Sequence, residues 1–444
     1  MPAFLARSDN VLLCAAAALL TAMLVCGLVV PPVFGLLLAA TVVSGIAFLA
    51  LCFPSGFCVA WLLITGMSLE MTAHDIIGDE AYQPVIAIVK GTEIGLGLLC
   101  ALRFGPRLNP LCPAWAYLAM LIAGLVHGLR PGLTTMDSLR SAIGSVAPFV
   151  FCFCRIPRSW AEVMIQATKW CPILAVAACI PLSIAGIRPL FIDSGGARLA
   201  GLGHPAFLAG VCLPAIYACL IQLYRLGRRA DLVLLVVNIL ILMLTGARAP
   251  FAYAVAVTGL SLITIRSQVF AARDRLLLLL TAAALLPLLA LIAGGLGEVR
   301  LFNVLMNETG NLSGRGLLWP SFEAAAAESP WFGWGTGAGN VVVPSDGRIA
   351  KILHTWAAHN EYLRIQVEGG AIGEALLMAL FAGWVMVQTR DLRQSDRRIM
   401  RLAFLAFAGH AFTDNVLIST PACVMFGFAT AVFARRNTDG HSLE

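Results

Sequence analysis

Long stretches of this chain hold almost no polar residue, and the continuity of those stretches sets the expected elements. Spanning strands would alternate polar and apolar residues over about ten positions, whereas runs such as 11–30 and 276–293 are apolar throughout. They predict helices. Further runs lie near 33–53, 57–71, 85–102, 114–126, 143–153, 163–185, 205–223, 232–244, 251–265, 362–387, 402–412 and 416–433. A helix needs about 20 apolar residues to cross a bilayer. Several runs are shorter, and suit half-helices, re-entrant pieces or one bent span. The expectation is an all-α polytopic membrane protein with about 12 transmembrane helices, at most about 14.

Cations collect in every second connector. Arg103 with Arg107, Arg155 with Arg158, Arg225 with Arg228 and Arg229, Arg266 with Arg273 and Arg275, the run from Arg390 to Arg401, and Arg435 with Arg436 fall on one side under strict alternation. Cytoplasmic loops carry such an excess, so both termini are expected there. The opposite connectors are 72–82, 129–140, 188–204, 245–250, 294–360 and 413–415. This divides the chain into membrane helices over 1–297, an outer loop element over 298–360 and closing membrane helices over 361–444. The outer element carries five acids against four bases between Glu298 and Ala358, so it is no basic tail. It is too small for an independent catalytic domain and must borrow from the membrane helices.

Composition agrees. The 444 residues are 59% hydrophobic and 12% charged, against about 45–50% and about 25% in soluble domains, which excludes a soluble enzyme, a disordered chain and a disulfide scaffold. The net charge of +6 expresses the cytoplasmic arginines and implies no nucleic acid. Most cysteines sit inside apolar runs as small core residues; Cys152 and Cys154 lack the second pair and polar loop of a zinc site. The first run follows only Arg7, without a cleavage site, and is expected to be retained. No internal repeat or matched pair of broken helices marks a transporter.

Lone arginines in small or glycine-rich surroundings recur on the outer side: Arg198 in Gly195 to Gly201, Arg248 in Thr245 to Pro250, and Arg315 between Gly314 and Gly316. A guanidinium matches phosphate oxygens two at a time, and three forks suit a pyrophosphate; equally, boundary arginines snorkel to headgroups or cap helices. Arg188, Arg300 and Arg348 lack this framing and read as surface or headgroup residues. His359 stands just before an apolar helix, where an imidazole can exchange a proton near neutrality; the plainer reading is a polar helix start with Asn360 as N-cap. His354 and His204 are weaker candidates, and His410 with Asp414 suits a buried polar pair. Glu361, Arg364 and Glu368 have helix-neighbour spacing and can support one another. Lys90 with Glu93 is the clearest ionisable pair at mid-membrane, thin support for a lipid or solute transporter.

Taken in order, Ser313-Gly314-Arg315, then Pro330-Trp331-Phe332-Gly333-Trp334-Gly335-Thr336-Gly337, then His359-Asn360-Glu361-Tyr362-Leu363 to Glu368-Gly369-Gly370-Ala371-Ile372-Gly373 resemble the signature of the O-antigen ligase and polymerase superfamily. Arg198 to Pro205 and Thr245 to Arg248 are similar to its upstream elements, although His204 stands where asparagine is usual and Ala249 where glycine is. The resemblance covers roughly 198–373. It implies a metal-independent, inverting GT-C-type glycosyltransferase of the inner membrane, with no cofactor, working on the periplasmic face. The donor would be O-antigen on undecaprenyl pyrophosphate and the acceptor lipid A-core, with membrane lipids around. His359 would be the general base, Arg198, Arg248 and Arg315 would hold the pyrophosphate, and His204, Asn360 and Glu368 would support them. The absence of an Asp-x-Asp cluster fits a reaction without Mg²⁺. One long outer segment suits a ligase, with O-antigen polymerase and protein O-oligosaccharyltransferase as alternatives. Sugar specificity and oligomeric state are not written in these residues.

Overall fold

The computed structural model describes residues 52–72, 79–193, 196–267, 269–281, 315–345, 347–353 and 355–435. The span expected at 11–30, nearly all of that at 33–53, most of that at 276–293, and residues 298–314 and His354 lie outside them. The chain divides into two compact units, 1–58 and 59–444. Helix α1 (Pro54–Gly66) begins in the first. The second continues with α2 (Asp79–Phe104), α3 (Ala114–His127), α4 (Thr135–Val146), α5 (Arg158–Ile184), a hairpin of β1 (Phe191–Asp193) and β2 (Ala197–Leu199), α6 (Pro205–Leu226), α7 (Arg229–Leu244) and α8 (Arg248–Thr264). After 281 come α9 (Arg315–Glu328), α10 (Arg348–Leu353), α11 (Glu361–Thr389), α12 (Gln394–Ala411) and α13 (Thr420–Phe433).

Helix α6 forms the centre. Pro205 opens it, where a missing N–H costs nothing, and Gly227 closes it in the left-handed region. Because it is apolar on every side it has no face for solvent: 83% of its spanning window is buried, against 28% for α2 and α11. Every residue of α13 is buried as well. Phe149, Phe381, Trp384, Phe404, Phe426 and Phe433 fill the space between α11, α12 and α13, with Phe149 and Phe426 centred 4.4 Å apart and Trp384 and Phe433 5.1 Å apart. Among the described residues every cysteine but Cys52 is buried.

Four described helices are long and apolar enough to cross a membrane: α2 from Val85, α5, α6 and α11. α1, α3, α8 and α13 are apolar but shorter. The run at 143–153 is no single helix: α4 ends at Val146 and a 3-10 segment follows over Ala147–Phe153, carrying Pro148, which lacks the N–H a continuing helix needs. The run at 402–412 is the end of α12, whose first turns are polar.

The arginine-bearing connectors meet at one end of this second unit. Arg155 N donates to Gly105 O (3.2 Å) and Arg107 N to Phe153 O (2.9 Å). Glu162 pairs with both Arg225 and Arg435, Arg225 with Asp396 (3.0 Å), and Arg398 donates to Thr264 O (2.9 Å). Lys169 and Asp231, both buried, pair between α5 and α7, an interior ion pair that no sequence pattern announced. Lys90 Nζ donates to Gly144 O (2.9 Å) and Ile418 O (3.1 Å), so it ties three segments together.

Candidate active site

At the opposite end the chain breaks a helix to build a seat. Inside α11 the backbone leaves helical geometry at Gly370 (φ 58°, ψ −166°), which frees the carbonyls of Val367 and Glu368 from their ordinary partners, the N–H groups of Ala371 and Ile372. The loop from Pro330 to Gly335 takes both sides of the exchange. Trp334 N donates to Val367 O and Gly335 N to Glu368 O (both 2.9 Å), while Ala371 N donates to Pro330 O (2.8 Å) and Ile372 N to Trp331 O (3.1 Å). All four backbone groups are satisfied. The approach is so close that a Cβ on Gly333 would stand 2.4 Å from Glu368 C, and one on Gly370 2.4 Å from Trp331 C. Gly333 and Gly370 of the sequence signature make this contact, whereas Gly335 and Gly337 pack against Gly124 and Ser141.

That seat holds the outer segment against the start of α11. Leu318, Phe322 and Ala325 of α9 share a small core with Leu133, Ala358 and Val367, and Trp319 Nε1 donates to Ala358 O (3.0 Å). The next residue is His359. It has φ 47°, a left-handed backbone that costs a non-glycine residue roughly 1–3 kcal/mol and that turns the chain into α11, where Asn360 Oδ1 accepts from Tyr362 N (3.0 Å) and Leu363 N (3.4 Å). Asn360 is thus a helix cap.

His359 Nδ1 lies 3.0 Å from Asp414 Oδ1, and its Nε2 lies 3.1 Å from Thr355 Oγ1. Asp414 sits in the turn after α12, where its Oδ1 also accepts from Asn415 N (2.9 Å). Burial pushes its carboxyl upward, but the hydrogen bond and charge of His359, with His410 behind, outweigh that and bring it down to about 2. An ionised Asp414 accepts a hydrogen bond from Nδ1–H, so in that neutral tautomer Nε2 is the acceptor and the Thr355 hydroxyl donates to it. Glu361 fixes the relative placement of the two partners: its Oε1 accepts from Leu417 N (2.6 Å), three residues past Asp414, and its Oε2 pairs with Arg364 (2.5 Å).

His359, Asp414, His204 and His410 line one cavity of about 320 Å³, which continues between Phe207, Tyr217, Phe407 and Met425. His204 caps α6 through Nδ1, which accepts from Ala206 N (3.3 Å). Burial first, and then the charge of Arg198, push its imidazole down to about 4. Arg198, on β2, donates from Nε to Thr245 O (2.8 Å), in the turn that leads to Arg248 at the first position of α8. Arg198 therefore meets the turn that opens α8 at Arg248, and its charge acts on His204; neither arginine lines the cavity. Arg315 is the first residue of α9, one turn before Trp319; its side chain lies outside the described residues.

Glu368 does not line this cavity; it pairs with Arg364 (2.8 Å), as their helix spacing suggests, and borders a separate space with Lys90, Ser141 and Gly337. Two expectations are corrected. Arg188 is buried, not a surface residue, and donates to Gly201 O (3.2 Å) and Gly203 O (2.5 Å), which shapes the loop before His204. Asp414 is the partner of His359 rather than a private partner of His410. The polar triplet Thr413-Asp414-Asn415 between two apolar runs was the available signal. Among the described residues no group of three or more His, Cys, Asp or Glu is arranged to hold a metal ion.

The two depressed groups make stability fall with acid. Between its ordinary value near 6.5 and about 4, the imidazole at 204 gains a proton in the unfolded chain that it refuses in the fold; the contribution of Asp414, complete above about 3.8, is lost as pH falls toward 2. The melting temperature in detergent should decline from pH 7 to 4.5, and His204→Asn should flatten that decline. Equal slopes in the two proteins would contradict the placement of His204.

Residues 233–378 match the family model described as O-antigen ligase. The matched stretch holds Arg248, Arg315, His359 and Glu368, and leaves Arg198, His204 and Asp414 outside it. No curated protein matches the chain.

Proposed function

We propose, from the match of residues 233–378 to the O-antigen ligase family model, the ligase reaction itself: transfer of O-antigen from undecaprenyl pyrophosphate to lipid A-core at the periplasmic face of the inner membrane. The end at which the arginine connectors meet is the cytoplasmic one, and the cavity of His359 opens at the other. The carrying observation is the Asp414–His359 pair at that cavity, an imidazole oriented by a carboxylate with its second nitrogen turned to a hydroxyl.

In the transfer, an acceptor sugar hydroxyl takes the position of the Thr355 hydroxyl at Nε2. His359 accepts its proton as the oxygen forms a bond to the anomeric carbon. On the far side of that carbon the bond to the pyrophosphate breaks, the electron pair leaves with the phosphate oxygen, and the configuration inverts. Asp414 balances the imidazolium. The guanidinium forks of Arg198, Arg248 and Arg315 receive the charge that builds on the pyrophosphate, where fixed cations act at the greatest advantage. General-base catalysis of this kind contributes about 10²–10⁴ in rate. Glu368 and Asn360 hold the scaffold.

A transporter would need ionisable side chains free to line a path. Lys90 borders the space beside Glu368 but is tied to two backbone carbonyls, which favours the enzyme. Lipopolysaccharide from a strain lacking this chain, resolved on a gel, tests the reading. Bare core with glycan retained on the carrier lipid is the expected pattern. Core with a single repeat would make it a polymerase, and unchanged lipopolysaccharide a transferase to another acceptor such as a protein hydroxyl; either would overturn the ligase.

A further inference from the structure

The ring of His204 is used on one side only. Its Nδ1 accepts the Ala206 N–H at the start of α6, so the proton of the neutral ring resides on Nε2. The same ring lines the cavity that holds His359 and Asp414, and the charges of Arg198, Asp414, His359 and Arg188 all act on it. Capping a helix requires only a short acceptor. An imidazole adds a donor beyond the cap, on a ring that lines the cavity with His359 and feels the charges of both Arg198 and His359.

Resting on the ligase reading above, we infer that His204 is a catalytic hydrogen-bond donor: its Nε2–H binds the leaving phosphate oxygen as the bond to the sugar breaks, while His359 alone exchanges a proton. The low affinity of the ring for a second proton suits this role. A ring that stays neutral cannot compete as a second base, because its only lone pair on nitrogen is committed to the helix end. It is fixed in the donor tautomer throughout the cycle. The donor gains strength as charge develops on the leaving oxygen, so its removal lowers kcat more than it raises KM.

Three substitutions separate this donor from the cap. Asparagine, aspartate and serine all cap helices well, but only asparagine also extends an N–H donor past the cap: aspartate accepts only, and the hydroxyl of serine ends at the backbone it caps. The full-length protein in detergent is assayed with undecaprenyl-pyrophosphate-linked glycan and lipid A-core, alongside its melting temperature at pH 7. His204→Asp and His204→Ser should lower kcat by on the order of 10² without a comparable change in melting, and His204→Asn should recover most of the loss. Wild-type kcat in the serine variant, or an asparagine variant as slow as serine, would overturn the inference. His359→Gln serves as the marker for the underlying reading. If it stays active the ligase mechanism itself fails, whereas an inactive His359→Gln beside a fully active His204→Ser removes only the role of His204.

Discussion

Gly333→Ala is expected to destabilise the protein by about 2–5 kcal/mol, the sum of a left-handed backbone cost and of overpacking. The added methyl would stand 2.4 Å from the backbone of both Glu368 and Gly369, at a residue with φ 66°. Backbone atoms cannot rotate away as a flexible side chain can, so relief requires the loop to withdraw. Withdrawal breaks the exchange at Val367 and Glu368 and leaves carbonyls unpaired in the middle of α11. Because the same loop supports the segment that ends at His359, activity should disappear with the fold. Gly259→Ala is the matched control, since a Cβ there meets nothing within 4 Å. Thermal unfolding in detergent, with limited proteolysis of the outer segment, measures both; equal stability of the two variants would refute the close-approach account.

Asp414→Asn is expected to act on chemistry instead. The carboxylate accepts a hydrogen bond from the Nδ1–H of His359, which keeps that proton on Nδ1 and leaves Nε2 free to receive another. An amide can turn its NH₂ toward Nδ1 and hold the opposite tautomer, in which Nε2 already carries a proton and cannot act as a base. It also removes the counter-charge of the imidazolium. Loss of about 10²–10⁴ in kcat should follow. Melting should fall modestly as well, because one oxygen, Oδ1, serves both His359 and Asn415 N and an NH₂ group in its place cannot accept. A variant with native kcat would show that the orientation of the ring is immaterial.

How far the sequence discloses this arrangement varies with the range of the interactions. Apolar runs reveal α2, α5, α6 and α11 because a continuous apolar run long enough to cross a bilayer needs no partner to be recognised. The arginine connectors stand out because charge bias is a property of each connector alone, and those among the described residues meet at one end. Asn360 and the Glu361, Arg364, Glu368 triad are visible because caps and i, i+3 or i, i+4 pairs are local. Asp414 was hidden by the same locality: His410 lies four residues before it and offered an obvious partner, whereas His359 lies 55 residues away. The glycines of 333–337 and 370 stand out as a motif, yet nothing local says that one segment inserts its hydrogen bonds into a break in the other. Arg188 looked like a surface cation because its partners are backbone carbonyls, which leave no mark in a sequence.

Turnover by purified His359→Gln, with lipid-linked glycan and lipid A-core at pH 7, bears most directly on the account as a whole. Glutamine can occupy much of the same volume but does not accept a proton near neutrality. The account predicts a protein that melts within a few degrees of wild type, still binds the lipid-linked donor, and transfers glycan slower by at least about 10². Transfer at the native rate from that folded variant would contradict it.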